Sequence, residues 1–144
     1  MDTAIAVALI PGIVAAVVAP TWAFYLTKQK EREDDQLKRK FEQYQEFLSA
    51  VSSIVGTDAT PDGNRRFAAA CNTLNLMASV EVIGALRHYQ DEIRVSNPHK
   101  SDDRHDSLLS RLVWEIRRDL KIPGPSRAED FKVRLWCSGT GPRT

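Results

Sequence analysis

The hydrophobic pattern divides the chain into two unlike parts. Between Ala4 and Leu26 no residue is charged, and Thr21 is the only aliphatic hydroxyl among Ala, Val, Ile, Leu, Phe, Trp and Tyr. A helix of this length covers roughly 34 Å, slightly more than the hydrocarbon core of a bilayer, so the run predicts one transmembrane helix. Pro11, Gly12 and Pro20 would break a soluble helix but are tolerated in a membrane, with a bend expected near Pro20. Trp22 and Tyr25 stand at the end of the run, where amphipathic rings settle at headgroup level. Residues 28–36 are almost wholly charged or polar and predict a solvated stalk.

After the stalk, the apolar positions take on helical spacing. Leu37, Phe41, Tyr44, Leu48, Val51 and Val55 alternate steps of four and three, and Phe47 and Ile54 widen the stripe towards that of a globular bundle. Gly56 is placed to end this helix. The stretch from Thr57 to Asn64 reads as a loop. The next helix starts either at Pro61, capped by Thr60, or at Asn64. Its stripe is Phe67, Ala70, Cys71, Leu74, Met77 and Ala78. Ser79 then caps a helix through Val82, Ile83, Leu86, Tyr89 and Ile93, which Asn97-Pro98 closes.

Ser101 restarts helix, with Asp102 and Asp103 at the positive end of its dipole and Leu108, Leu109, Leu112, Ile116 and Leu120 as its stripe. Ile122-Pro123-Gly124-Pro125 stops it. Ser126-Arg127-Ala128-Glu129 has the form of a capping box, and Phe131, Val133 and Leu135 alternate with Lys132, Arg134 and Trp136, so the tail reads as one helical turn followed by an extended segment, or as a short helix. The predicted fold is all-α: a membrane anchor over residues 1–27, the stalk over 28–36, a bundle of about four helices over 37–137 and a flexible tail over 138–144.

The distribution of charge gives this plan an orientation. Formal net charge is only +1 over 144 residues, but Lys28, Lys30 and Arg32 follow the apolar run directly and no basic side chain precedes it. The positive-inside bias then places the bundle in the cytoplasm and the N-terminus outside, as a single-pass protein of the inner (cell) membrane. The same three residues are candidate contacts for anionic lipid headgroups. A cleaved secretory signal fits less well, because the n-region carries Asp2 and the apolar run exceeds a signal core. Two cysteines, Cys71 and Cys137, are too few for a disulfide framework and suit free thiols in a reducing compartment. A near-neutral soluble part lacks the electrostatic footprint of a nucleic-acid binder.

Candidate chemistry is sparse. The sequence has neither a nucleophile elbow nor a phosphate loop. Asp102, His105 and Asp106 lie within a turn of one another, as metal ligands would, but acids collect in first turns because of the helix dipole. Arg65-Arg66 and Arg117-Arg118 read as solvated faces, since acidic residues lie nearby. Asn75 adjoins the packing stripe and either fixes register or edges it. We expect no catalytic residue, cofactor, metal or small-molecule substrate. Within the apolar run, Ala4, Ala8, Gly12 and Ala16 recur every four residues, a small-xxx-small ladder suited to self-association of transmembrane helices.

The segments RRFAAACNTLNLMASVEVIGALRHYQDEI, LLSRLVWEIRRDLKI and EDFKVRLW resemble a recurring pattern of small bacterial proteins with a helical domain, frequently membrane-anchored. In that pattern a small-residue helix leads into a V/A-S-x-E-V helix, then E/A-I/M-R-K-D-L and a short aromatic close. The resemblance spans roughly residues 41–136 and implies no activity. Together these features lead us to expect a membrane-anchored interaction or scaffold module working through a protein partner or self-association. Alternatives are a membrane effector of defence or toxin type acting through oligomerised spans, and an enzyme or metal-binding domain around His105.

Overall fold

The computed structural model describes residues 2–54 and 60–133, with side chains of the first helix described from Pro20 onward. Its elements are α1 (Asp2–Ser52), α2 (Pro61–Met77), α3 (Val80–Ile93), α4 (Asp102–Asp119) and a single 3-10 turn at Ala128–Asp130, with no strand among the described residues. The all-α bundle expected from periodicity is therefore present. Contacts divide the chain into two units, Met1–Lys38 and Arg39–Thr144.

The first unit is the N-terminal part of α1, and the helix runs without a break from the apolar segment through the stalk. Among the described residues no helix is long and apolar enough to cross a membrane. Residues 4–19 of the expected span, and with them the ladder of Ala4, Ala8, Gly12 and Ala16, fall outside the described side chains.

The second unit is built on one core. Tyr44, Phe47, Ala50 and Val51 of α1 meet Ala70, Cys71 and Leu74 of α2, Val82, Ala85, Leu86 and Tyr89 of α3, and Leu109, Leu112, Val113 and Ile116 of α4. The α3–α4 pair is the most extensively packed, and the Phe47 and Phe67 rings meet at 5.9 Å between α1 and α2. Phe41, expected in this seam, is instead 52% exposed. The buried stripe of α1 starts one turn later, because the polar cluster around Lys40, Tyr44 and Asp119 closes that end of the bundle. Helix α1 also stops at Ser52, short of the expected Gly56, which lies outside the described residues.

Caps decide the other boundaries. Thr60 is the N-cap of α2, its Oγ1 accepting from the Gly63 N–H at 3.0 Å, with Pro61 as the first helical residue. Of the two starts the sequence allows, this is the one adopted. Ser79 caps α3. Helix α3 ends at Ile93, earlier than Asn97-Pro98 suggested, and Asn97 instead turns its amide back to the Glu92 carbonyl at 3.0 Å. Helix α4 ends in a Schellman motif: the Ile122 N–H reaches the Arg117 carbonyl at 2.8 Å and the Lys121 N–H the Arg118 carbonyl at 2.9 Å. Lys121 occupies the left-handed position at φ 57° that glycine usually fills.

The tail departs from the capping-box reading. Arg127, not Ser126, precedes the 3-10 turn, and no side chain caps it. Phe131 to Val133 runs extended along α4, with the Val133 N–H donating to the buried Ser110 Oγ at 3.1 Å. Phe131 and Val133 pack on the core. The flexible tail expected at 138–144 lies outside the described residues.

Candidate functional site

Two places on the molecule combine exposure with chemistry, one in each unit. On α1 the aromatic and basic residues from Trp22 to Arg32, an aromatic–basic collar, lie exposed around the helix. Trp22, Phe24 and Tyr25 are all more than 60% exposed. The Trp22 and Tyr25 rings lie 6.2 Å apart, and Lys28 Nζ sits 5.8 Å from the Phe24 ring centre. Lys28 is also paired with Glu31 at 2.7 Å, an exposed intrahelical pair of small energetic weight. Lys30 and Arg32 have no ion-pair partner among the described residues and remain open to anionic groups.

In the bundle, a recess of about 450 Å³ opens between α2, α3 and the start of α4. Its apolar wall is Ile54, Phe67, Ile93 and Val95, and its polar rim carries Lys100, Asp102 and His105. Behind the rim a hydrogen-bonded chain fixes the imidazole. Tyr89 is fully buried and its hydroxyl lies 3.1 Å from His105 Nε2, while His105 Nδ1 faces Asp106 at 3.2 Å. Burial, reinforced by the nearby Cys71 and Asp106, pushes the Tyr89 phenol up to about 12, so it stays protonated at neutral pH. The Asp106 carboxylate can only accept, so Nδ1–H donates to it, and in the neutral imidazole the Tyr89 hydroxyl then donates to Nε2.

This network stands where the sequence placed a candidate metal set, and it uses both ring nitrogens internally. Among the described residues no group of three His, Cys, Asp or Glu side chains is arranged to hold a metal ion. The Tyr89 side chain, buried in the core, also borders this recess beside His105. What the recess offers is a half-apolar cleft with charged residues at its lip.

Three polar groups that sequence periodicity passes over are held within the bundle, Glu92 and Glu115 buried and Asp119 partly so. Glu92, 3% exposed on α3, accepts the Ser101 N–H at 2.9 Å and the Asn97 amide at 3.4 Å, with Arg104 at 3.4 Å. It thereby ties the end of α3 to the start of α4 and floors the recess. Ser101 was expected to cap α4 with its side chain, but makes no such bond; its backbone N–H goes to Glu92 instead. Glu115 is held by Arg111 at 3.0 Å and Arg118 at 3.2 Å, and both guanidiniums lie over the Trp114 ring. Asp119 accepts both Lys40, at 2.9 Å to each oxygen, and the Tyr44 hydroxyl.

The remaining charge clusters are internally satisfied. Arg66 forks onto Glu46 at 2.6 and 2.9 Å, and Arg117 donates to the Pro123 carbonyl at 2.8 Å. Asn75 is exposed and bonds back to the Cys71 carbonyl, so it edges the α2 stripe. Burial raises the Cys71 thiol to about 11, which leaves it inert at neutral pH. No family model, curated protein or solved structure matches the chain, so the functional reading rests on the residues themselves.

Proposed function

We propose that the chain is a membrane-tethered helical interaction module, with the bundle on the cytoplasmic side. The observation that carries this reading is the uncharged run from Ala4 to Leu26, closed by the exposed Trp22 and Tyr25 and followed by Lys28, Lys30 and Arg32. The recess beside His105 is where a peptide segment of a protein partner would seat an apolar side chain, with Lys100 and Asp102 selecting its flanking charges. No reaction is assigned to the protein.

The test has two readouts. Membranes bearing the full chain with a C-terminal reporter should show a cytoplasmic signal and resist alkaline carbonate extraction. A reporter on the opposite side, or complete release by carbonate, refutes the tether. Affinity capture from detergent-solubilised membranes should recover a stoichiometric partner that Phe67→Glu, at the mouth of the recess, releases. Growth arrest on overexpression that Gly12→Ile abolishes would instead favour the membrane-effector alternative.

A further inference from the structure

The end of α4 and the loop that follows it enclose a recess of about 310 Å³ in which no lining residue is acidic. Trp114, Ile122 and Pro125 give it an apolar wall, and Arg117 and Arg118 both line it. Its shape is fixed by bonds across it. Trp114 donates its indole N–H to the Pro125 carbonyl at 2.9 Å, and Arg117 donates to the Pro123 carbonyl at 2.8 Å, so the loop is tied to the helix at two points. The two prolines stiffen the backbone between those ties. Gly124, between them, leaves the guanidinium open: a Cβ there would stand 3.9 Å from Arg117 Nε.

The two guanidiniums are held in place but only partly used. Arg118 lies 4.7 Å over the Trp114 ring and Arg117 5.6 Å over the Phe131 ring, which lowers the rotamer entropy either would lose on binding a ligand. Of the five donors on each, Arg118 commits one to Glu115 and Arg117 one to the loop carbonyl. Glu115 is shared with Arg111, so three arginines meet one carboxylate and two positive charges remain uncompensated. Asp119, the next acid along the helix, is engaged by Lys40. The Ser126 hydroxyl, which also lines the recess and which the capping-box reading assigned to a helix start, has no hydrogen bond among the described residues. A helix C-terminus opposes an anion with about half a charge. Here the carbonyls of Ile116, Arg117 and Arg118 already accept from Leu120, Ile122 and Lys121, so the arginines prevail.

We propose that this recess binds a phosphate monoester. The charge of such a group near neutral pH, about −1.5 to −2, matches the two uncompensated arginines, whereas a carboxylate would leave one unmet. Its three terminal oxygens accept from two guanidiniums and a hydroxyl together, while a carboxylate is satisfied by a single arginine fork. The indole, Ile122 and Pro125 receive the ester group, in a volume at the lower end for small-ligand sites. The site lies wholly within the bundle and does not depend on the membrane tether. A lipid headgroup and a soluble ester present the same phosphate, and the test separates them.

The full chain in neutral detergent is titrated with phenyl phosphate by isothermal titration calorimetry. One-to-one saturation is expected, with a dissociation constant on the order of 1 mM for a ligand of this size. Arg117→Gln should weaken binding about ten- to hundredfold, the loss of one charged contact. That variant also frees the Pro123 carbonyl, so Ser126→Asp and Ser126→Lys give a second pair that leaves the fold alone. Ser126 is exposed, so thermal unfolding should not move, while Ser126→Asp weakens binding at least about tenfold and Ser126→Lys strengthens it. Absence of saturation, equal binding by wild type and all three variants, or benzoate binding as tightly as phenyl phosphate each overturns the proposal. Displacement of phenyl phosphate by inorganic phosphate marks a soluble ester as the occupant. Displacement only by nanodiscs containing phosphatidic acid, with none from phosphatidylcholine alone, marks a lipid headgroup; displacement by neither overturns the site.

Discussion

Replacing Glu92 by glutamine removes one charge and no volume, so its effect measures the hydrogen-bond network and little else. In the folded protein one carboxylate oxygen accepts the Ser101 N–H at 2.9 Å, and the other faces the Asn97 amide and Arg104, both at 3.4 Å. A glutamine can serve only one side. With its oxygen towards Ser101, its NH₂ points at two further donors; reversed, it points at the Ser101 N–H. Flipping Asn97 does not relieve this, because its amide nitrogen also reaches the Glu92 carbonyl at 3.0 Å and its oxygen accepts the His99 N–H at 3.0 Å. The variant therefore loses at least one charge-assisted hydrogen bond in a buried position, a cost of about 1.5–3 kcal/mol. For a folded unit of this size that lowers Tm by roughly 10 °C.

Thermal unfolding of the full chain in detergent followed by circular dichroism gives the global number, and hydrogen exchange at Ser101 and the first turn of α4 gives the local one. Ser101→Ala serves as the control: because that hydroxyl makes no cap bond, the change should stay within about 0.5 kcal/mol. An unaltered Tm in Glu92→Gln with Ser101 still protected would refute the account, as would a Ser101→Ala penalty as large as that of Glu92→Gln.

Other perturbations probe backbone and ionisation. Lys121→Gly should raise stability by about 1 kcal/mol, because Lys121 sits at φ 57° where a Cβ is penalised; Lys121→Ala, which keeps the Cβ, should show no such gain in thermal unfolding. Gly63→Ala should destabilise by about 1–3 kcal/mol, since the new Cβ would stand 2.6 Å from the Ser53 carbonyl oxygen, whereas Gly84→Ala meets nothing within 4 Å and should gain about 0.5–1 kcal/mol. Burial and then the Asp119 carboxylate hold the Tyr44 phenol well above its ordinary value. A raised folded-state pKa contributes stability that is complete below the unfolded value near pH 10 and falls as pH rises beyond it, by at most about 1.4 kcal/mol per pH unit. Tyr44→Phe should therefore flatten the alkaline limb of a stability–pH curve measured from pH 9 to 11, and an unchanged slope would count against this reading.

Local rules were enough to read most of the helices. The period of the apolar residues places α2, α3 and α4, because a helix packing on one side must repeat its buried positions every three to four residues. Thr60-Pro61 and Ser79 mark helix starts because they satisfy N–H groups within their own turn. The apolar run before Lys28 is likewise a property of the linear sequence, and the reading of a membrane anchor comes from it.

What the sequence leaves undecided depends on partners distant along the chain. Glu92 and Glu115 have the composition of surface residues, and only the meeting of α3 with α4, or of two arginines over Trp114, makes their burial tolerable. Phe41 fits the seam by spacing yet lies outside it, since the Lys40–Tyr44–Asp119 cluster that ends the core joins residues more than 70 positions apart. His105 looks like a ligand in sequence and is an internally bonded imidazole in the fold. Periodicity reports that a residue has a neighbour; the tertiary structure alone decides which one.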